Sequence, residues 1–352
     1  MTNVDASALT PVVGERVRAR GLAVKREDVK HEDPSPLPSP RVRGEGVTAP
    51  SPHRELDRLR ETARLRRQLT ARLARLGYEF ERRDVRVGGH LVVPFTQIRD
   101  PDRVLDSVVE EADRRERVTG RKQSDDELHL PYWAELWDSA LGVAEHLVAS
   151  DHELRKRRPP SPCTQGEGGG EGTSATQQPA LSPSLSPTLS QCTGRGRQEA
   201  RLAILDLGCG VGFAGTVAAM LGHRVTFADI ETPALLFARL NSIAWRERVS
   251  ARRVDWKRDR LNERFDVILG ADVLYDRSQW EHLEPFWRAH LRDDTDACVL
   301  LGEPGRQTGD LFESWITARG WCLSRSEVRV ITRELPIRLF RIAPLRLDPT
   351  GD

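Results

Sequence analysis

Residues 205–215 carry the sequence LDLGCGVGFAG, which follows a mainly apolar stretch at 202–207. The three alternating glycines are Gly208, Gly210 and Gly212. Glycines allow a sharp backbone turn and let the chain approach a ligand closely at the start of a helix. The sequence therefore predicts a strand at 202–207, a ligand-binding loop, and a helix that ends at Gly222.

Apolar stretches of strand length alternate with helical patterns on both sides of this loop. Further strands are predicted at 224–229, 249–255, 265–271 and 297–302, and helices at 135–149, from Thr232-Pro233 onward, and at 278–291. This alternation, with strands that are apolar almost throughout, predicts a parallel sheet covered by helices on both faces. The stretches 323–331 and 337–342 have no helix between them, so we expect an antiparallel hairpin at one edge of the sheet.

The region before the sheet has its own pattern. Residues 54–76 place four leucines at helical spacing opposite an arginine-rich face, and Gly77 ends the predicted helix; the leucines are Leu65, Leu69, Leu73 and Leu76. The arginines either form a solvated face or bind RNA, and the first interpretation is favoured. Residues 78–98 alternate around Gly88-Gly89 and predict a hairpin, and 101–117 predict a short helix.

Two tracts have the composition of disordered sequence. The first aromatic residue is Tyr78, and 33–52 are rich in Pro, Ser and Gly. A similar tract at about 155–199 has no aromatic residue. We therefore predict a disordered tail at 1–53, a helical and hairpin extension at 54–130, a main domain at 131–343 that the second tract interrupts as an insertion, and a C-terminal tail at 344–352.

Composition excludes several classes of function. The chain has 352 residues and a net charge of +1, so it lacks the basic surplus of a general nucleic-acid binder. Five cysteines without a CxxC pair exclude a disulfide scaffold and a zinc ribbon, and fit a reducing compartment. No membrane span, signal peptide or metal-ligand cluster is apparent in the sequence. We expect a cytoplasmic protein that binds no metal.

Two cofactors compete for the glycine loop. Residues 210–215 match GxGxxG, the dinucleotide fingerprint, but Asp206 lies so close to the turn that it would repel a pyrophosphate. A carboxylate there suits a cationic amino acid group. Asp229, at the end of the next strand, is placed to accept hydrogen bonds from both ribose hydroxyls, and Asp255-Trp256 offer an acceptor and an aromatic plane for adenine. This set favours S-adenosylmethionine over NAD.

On these motifs the sequence resembles the seven-β-strand, S-adenosylmethionine-dependent methyltransferases over about 131–343. The resemblance implies a Rossmann-like, doubly wound α/β fold with strand order 3-2-1-4-5-7-6. It also implies that the cofactor is held by Asp206, Gly208, Cys209, Gly210, Gly212, Asp229, Ile230, Asp255, Trp256 and Ala271.

The fourth strand indicates the branch of the family. Methylases of nucleic-acid amines usually carry a Pro-Pro-Tyr pattern there, whereas this chain has Asp272 and Tyr275 as D-x-x-Y. That motif and the segment 136–141 resemble the family 16 protein lysine methyltransferases. The resemblance gives Asp272 and Tyr275 the catalytic role and places Trp137 beside the cofactor.

Two further segments, 131–134 and 302–306, resemble the branch that methylates the electron transfer flavoprotein β-subunit, although Glu303 and 138–140 depart from its pattern. The residues that this resemblance implies for substrate binding are Trp133, Glu135, Glu303 and Arg306. We expect methyl transfer to a lysine of a protein. The alternatives are N-methylation of a small amine, and a catalytically inactive protein that binds S-adenosylmethionine and serves as a partner.

Overall fold

The computed structural model describes residues 52–121, 130–156 and 201–346, and it begins with a helix and a hairpin. Helix α1 spans Pro52–Arg75, and strands β1 (Phe80–Val87) and β2 (Leu91–Ile98) pair in antiparallel register. Helix α2 (Pro101–Thr119) begins where the Asp100 side chain accepts a hydrogen bond from the backbone N–H of Arg103. These elements confirm the predicted extension.

The remaining described residues alternate helices and strands. In chain order they are α3 (Asp138–Lys156), β3 (Ala203–Leu207), α4 (Phe213–Met220), β4 (Arg224–Asp229), α5 (Thr232–Asn241), β5 (Val249–Arg253), β6 (Val267–Ala271), α6 (Trp280–His290), β7 (Cys298–Glu303), α7 (Gln307–Thr317), β8 (Trp321–Val328) and β9 (Ile337–Pro344). Helix α3 begins three residues later than predicted, because Tyr132–Ala134 form a short 3₁₀ turn and Glu135 is extended.

Strands β3 to β9 form one seven-stranded sheet in the order β5-β4-β3-β6-β7-β9-β8. Strands β5, β4, β3, β6 and β7 are parallel, whereas β9 pairs antiparallel with both β7 and β8. This order confirms the predicted doubly wound α/β fold and its C-terminal edge hairpin. The strand order reverses between β3 and β6, and in open α/β sheets ligands bind in the crevice beyond the carboxyl ends of such strands.

The β1–β2 hairpin belongs to the hydrophobic core of the main sheet. Phe95 of β2 is fully buried and meets Phe213, the first residue of α4, edge to face with 4.9 Å between ring centroids. The side chain of Asn241 accepts a hydrogen bond from the backbone N–H of Thr96 at 2.8 Å and donates to the carbonyls of Thr96 and Val211. The extension predicted at 54–130 is therefore tied to the segment that carries the glycine loop.

The predicted disordered tail and insertion fall almost entirely outside the described residues. Only residues 52 and 53 of the tail and residues 155 and 156 of the insertion are described, within α1 and α3. Within the described ranges, no helix is long and apolar enough to cross a membrane.

Candidate functional site

The loop between β3 and α4 is built by backbone conformations that glycine favours. Gly208, Gly210 and Gly212 have φ values of 64°, 51° and 80°. A Cβ atom on Gly212 would lie 2.5 Å from the Cβ of Ala238, so this position also needs the absence of a side chain. The Asp206 carboxylate beneath the loop accepts a hydrogen bond from the backbone N–H of Gly215 at 2.9 Å and fixes the start of α4.

Asp229 ends β4 on the other side of the loop. Its carboxylate accepts hydrogen bonds from the backbone N–H groups of Gly210, at 2.8 Å, and Glu231, at 2.9 Å. Burial raises the pKa of Asp229 to about 6 and that of Asp206 to about 7, because a low-dielectric environment disfavours the charged form. Among the described residues, no Lys or Arg forms an ion pair with either carboxylate.

These observations fit a cationic cofactor that carries hydroxyl groups. Two buried carboxylates without a cationic partner would repel a pyrophosphate, whereas an amino group and ribose hydroxyls would stabilise their ionised form. A Cβ atom on Gly208 would lie 3.1 Å from Val273 and 3.5 Å from the ring of Trp256, so an aromatic plane stands directly beside the loop. The residues present therefore fit S-adenosylmethionine, which is the predicted cofactor.

The remaining predicted cofactor residues surround this loop. Asp255 is about a quarter exposed and accepts a hydrogen bond from the backbone N–H of Lys257, so it also caps a turn. The indole N–H of Trp256 donates to Gln279, a residue that the sequence did not single out. The half-buried Cys209 lies inside the loop, and burial raises the pKa of its thiol well above the usual value. Ile230 directly follows Asp229, and Ala271 is the last residue of β6. Both residues are partly exposed.

Asp272 directly follows β6 in an uncommon backbone conformation. It has a φ of 55° and is the only non-glycine residue with positive φ in the described ranges. Its N–H donates to the carbonyl of Gly302 at 2.9 Å, which holds the turn against β7. Such strain typically costs about 1–3 kcal/mol and is concentrated at functional sites.

The Asp272 carboxylate is engaged by Arg306, which precedes α7. The Nε and Nη2 atoms of Arg306 donate to the two carboxylate oxygens at 3.2 and 2.7 Å, respectively. Asp272 is only 8% exposed, whereas the Arg306 side chain is 38% exposed, so the carboxylate is buried and the guanidinium covers it from the solvent side. The hydrogen bonds to Asp272 raise the pKa of Arg306 above its already high value, so the guanidinium stays charged.

Three aromatic side chains lie near this ion pair. The Tyr275 and Tyr132 rings lie edge to face with 5.6 Å between centroids, and each residue is nearly half exposed. The indole N–H of Trp137 donates to the carbonyl of Tyr132 at 2.8 Å, and the Arg306 guanidinium lies 5.9 Å from the Trp137 ring centroid. Burial raises the pKa of Tyr275 to about 12, so its hydroxyl stays protonated. The structure thus brings Asp272, Tyr275, Trp137 and Arg306 together, and Tyr132 joins them.

The other residues predicted to bind substrate occupy different positions. Trp133 is buried against the rings of Tyr78 and Phe237, so it is a core residue. Glu303 is 1% exposed, and its carboxylate is used by the Arg338 side chain and by the backbone N–H groups of Gly305 and Arg306. Glu135 is exposed, just before α3. Glu303 and Trp133 are therefore buried residues held by their own contacts, and they are not exposed around Asp272.

The family model and the curated relative that match this chain are both described as lysine methyltransferases. A family model described as lysine methyltransferase matches residues 134–311, just over half of the chain. Protein N-lysine methyltransferase METTL21A of Xenopus tropicalis is 39% identical over 83 residues, which are 21% of this chain and 36% of that protein. The match therefore spans little more than a third of the length of this curated relative.

Two solved N-methyltransferase structures have low overall similarity to this chain. The glycopeptide N-methyltransferase MtfA has 14% identity and a TM-score of 0.37, and the alignment covers 42% of this chain and 85% of that one. The N-methyltransferase NodS of Bradyrhizobium japonicum WM9, in complex with S-adenosyl-L-homocysteine, has 20% identity and a TM-score of 0.35, with 41% and 79% covered. These scores are low, so the fold assignment depends on the sheet order itself. From its family match, its sheet and its site, the chain belongs to the lysine methyltransferase family.

Proposed function

We propose that this protein transfers the methyl group of S-adenosylmethionine to a lysine side chain of a protein. The observation that carries the proposal is the position of Asp272, Tyr275, Tyr132 and Trp137. The ring of Tyr132 contacts those of Tyr275 and Trp137, and the three form a cluster, here called the aromatic mouth, near the Asp272 carboxylate and beside the crevice where β3 and β6 end. Family membership and the similarity to a curated protein N-lysine methyltransferase support the same reaction.

The cofactor is S-adenosylmethionine, whose sulfonium supplies an already activated methyl group. Asp229 would accept hydrogen bonds from the ribose, and Asp206 would lie closest to the cationic amino acid group. Trp256 would provide an apolar plane for the adenine, with Asp255 as acceptor. The glycine loop contributes by leaving room for the cofactor where side chains would otherwise project.

The lysine would enter through the aromatic mouth. Lysine in water is an ammonium with a pKa of about 10.4, and only its neutral form has the lone pair that attacks a methyl group. Partial burial among Tyr132, Tyr275 and Trp137 favours loss of that proton. Asp272 would accept a hydrogen bond from the amine and orient it in line with the methyl group, while the rings exclude water.

The form of the mouth favours a protein substrate over a small amine. Tyr132 and Tyr275 are 44% and 45% exposed, so the rings rim an opening to solvent. An enzyme for a small molecule usually encloses most of its ligand. The Asp272 carboxylate also argues against an inactive cofactor-binding partner, because cofactor binding through Asp206 and Asp229 does not need an acceptor at the end of β6. We further propose that the protein acts in the cytoplasm, because its composition fits a reducing compartment.

The direct test is incubation with labelled S-adenosylmethionine and lysate of the source organism, followed by mass spectrometry of labelled proteins. We expect methylated lysine in one or a few proteins, and no labelling above background with the Asp272→Asn protein. Label that appears only in small molecules would replace the protein-lysine assignment with small-amine methylation. Cofactor binding without transfer to any acceptor would support the inactive partner instead.

A further inference from the structure

The carboxylate that would receive the target amine is already paired with a cation. Arg306 contacts both oxygens of Asp272, and the pair is fixed at 3.2 and 2.7 Å. A bidentate guanidinium–carboxylate pair is among the stronger and more geometrically specific polar contacts in proteins. Asp272 therefore meets an incoming amine with its charge compensated.

Arg306 is held in this position by several independent contacts. Its backbone N–H donates to Glu303, and its carbonyl accepts a hydrogen bond from Nη2 of Arg338 at 2.6 Å. Glu303 and Arg338 are 1% and 6% exposed, so the support is a buried ion pair that cannot easily rearrange. On its outer side the guanidinium lies over the ring of Trp137. The Arg306 side chain is thus preorganised against Asp272.

This pairing matters for the protonation state of the substrate. A lone carboxylate at the mouth would attract the ammonium form of lysine and raise its pKa, because an opposite charge favours the charged form. The amine would then bind well but react poorly. With Arg306 in place, Asp272 still has lone pairs that accept a hydrogen bond, but the pair carries no net charge to stabilise an ammonium.

Resting on the proposed function, we propose that Arg306 is a positioning residue that compensates the charge of Asp272, so that the target amine occupies the site in its neutral form. The lysine ammonium first releases a proton to water. The nitrogen lone pair then forms the bond to the methyl carbon, and the carbon–sulfur bond breaks with its electron pair remaining on sulfur. The positive charge passes from the sulfonium to the methylated ammonium. The positive charge of Arg306 then opposes retention of this cationic product in the site.

Other charged and titratable groups lie near Arg306 or near Tyr275, and they are unchanged in the test below. Tyr275 and Asp276 lie on the segment after β6, Tyr132 on the 3₁₀ turn, Asp229 beneath the glycine loop, and Glu303 at the end of β7. Glu303 is balanced by Arg338, and burial raises the pKa of Tyr275 to about 12, so its hydroxyl is neutral. Among the residues that the structure describes, Arg306 is thus the cation that contacts Asp272.

The test compares Arg306→Gln and Arg306→Lys with the wild-type protein and with Arg329→Gln, which removes an equal charge from an exposed position. The probe is N-acetyl-lysine amide with saturating tritiated S-adenosylmethionine, and initial rates are measured from pH 6.5 to 10. We expect Arg306→Gln to move the midpoint of the rate profile upward by about one pH unit, with about tenfold lower turnover at pH 7.5 that recovers near pH 9.5. Arg306→Lys and Arg329→Gln should keep the wild-type midpoint.

A rate that falls equally at every pH in Arg306→Gln would make Arg306 a merely structural residue and overturn the proposal. A second measurement does not depend on turnover. With S-adenosylhomocysteine bound at pH 7, Arg306→Gln should bind N-acetyl-lysine amide about tenfold more tightly than wild type, and N-acetyl-norleucine amide, which lacks the amine, equally well. Unchanged lysine-amide binding refutes the role of Arg306, whereas wild-type protein that transfers no methyl group to any lysine refutes the proposed function.

Discussion

Asp206 and Asp229 are buried carboxylates whose pKa values burial raises to about 7 and about 6, above the unfolded value of 3.8. Because their folded-state pKa values lie above the unfolded value, these two groups favour the folded state most at pH below 3.8. This contribution to stability decreases as the pH rises, and it is lost once the pH has passed through 6 to 7. A cationic, hydroxyl-bearing ligand reverses this preference, because it stabilises the ionised carboxylates.

We therefore expect S-adenosylhomocysteine to bind about tenfold more tightly at pH 7 than at pH 5.5, with net release of protons. Calorimetry in buffers of different ionisation enthalpy measures both quantities. Asp206→Asn should weaken binding at pH 7 and flatten the pH dependence. Binding that is independent of pH, or tight binding of NAD in place of S-adenosylhomocysteine, would contradict the assigned roles of these carboxylates.

The Asp272 side chain should matter for turnover far more than for cofactor binding. Asp272→Asn keeps the size of the side chain but removes its charge, and we expect turnover to fall by about 10²-fold or more, the scale of a positioned polar group. Cofactor affinity should change little, since Asp206 and Asp229 remain. Single-turnover label transfer and calorimetry separate the two effects.

The Tyr275→Phe variant completes this test. Retained activity would mean that the ring shapes the mouth with Tyr132, and lost activity would mean that the hydroxyl contacts the substrate. Normal turnover in a folded Asp272→Asn protein would make Asp272 a structural cap of the β6 end. The lysine assignment would then lose its main support.

The residues that the sequence singled out most directly lie at or just beyond the ends of strands. Asp206, Asp229 and Asp272 lie at strand ends, where the order of elements alone places them at one edge of the sheet. Tyr132 and the Arg306–Asp272 pair depend instead on how a short turn and the start of α7 pack over β6 and β7. Arg306 and Asp272 are 34 residues apart, and spacing carries no signal for that contact. The available sequence hint for Tyr132 was that it directly precedes Trp133 and lies shortly before Trp137, so that three aromatic residues occur close together.

At the scale of elements, α3 and β3 are joined across the predicted insertion by one side chain. The imidazole of the fully buried His223 accepts a hydrogen bond from the backbone N–H of Leu202 at 3.3 Å and contacts the Asp151 carboxylate at 2.8 Å. Because Asp151 lies on α3 and Leu202 precedes β3, His223 fixes both ends of the connection. The strands and helices around His223 matched their predicted ranges closely, because apolar periodicity is a local signal in the sequence. Helix α7 was not predicted.

Deletion of residues 159–197, with a short Gly/Ser linker in their place, should therefore leave the fold and cofactor affinity nearly unchanged. The Pro, Gly and Ser content gives this segment little apolar surface to bury, and loop length alone changes closure entropy by only about 0.6 kcal/mol per doubling. Differential scanning calorimetry should find the melting temperature within about 3 °C of the full chain. His223→Ala should lower it clearly in both proteins, and a larger loss from the deletion would mean that the tract packs on the sheet.

At the scale of the whole molecule, the N-terminal extension and the seven-stranded sheet share one hydrophobic core. Leu73 of α1 and Val87, Val93 and Phe95 of the hairpin are buried together with Phe213 and Phe237 of the helices beside the glycine loop. The guanidinium of Arg246 adds hydrogen bonds to Thr62 and Glu61 of α1. The sequence separated 54–130 from the main domain because patterning within each segment does not reveal which faces meet. Contacts between residues far apart in the sequence, such as those of Asn241 with Thr96, make the extension part of the same folded core as the sheet.

Phe95→Ala should therefore damage cofactor binding from a distance. The substitution removes a fully buried ring that packs on Phe213, directly after the glycine loop, and such truncations cost about 3–5 kcal/mol of stability. Part of that loss should appear as weaker S-adenosylhomocysteine binding, because the start of α4 loses the ring that holds it in place. Val92→Ala on the same strand is the matched control, since Val92 is 40% exposed and should change neither quantity. Urea unfolding and calorimetry measure the two effects, and a Phe95→Ala protein that is destabilised but binds the cofactor normally would mean that the hairpin supports the fold without positioning the loop.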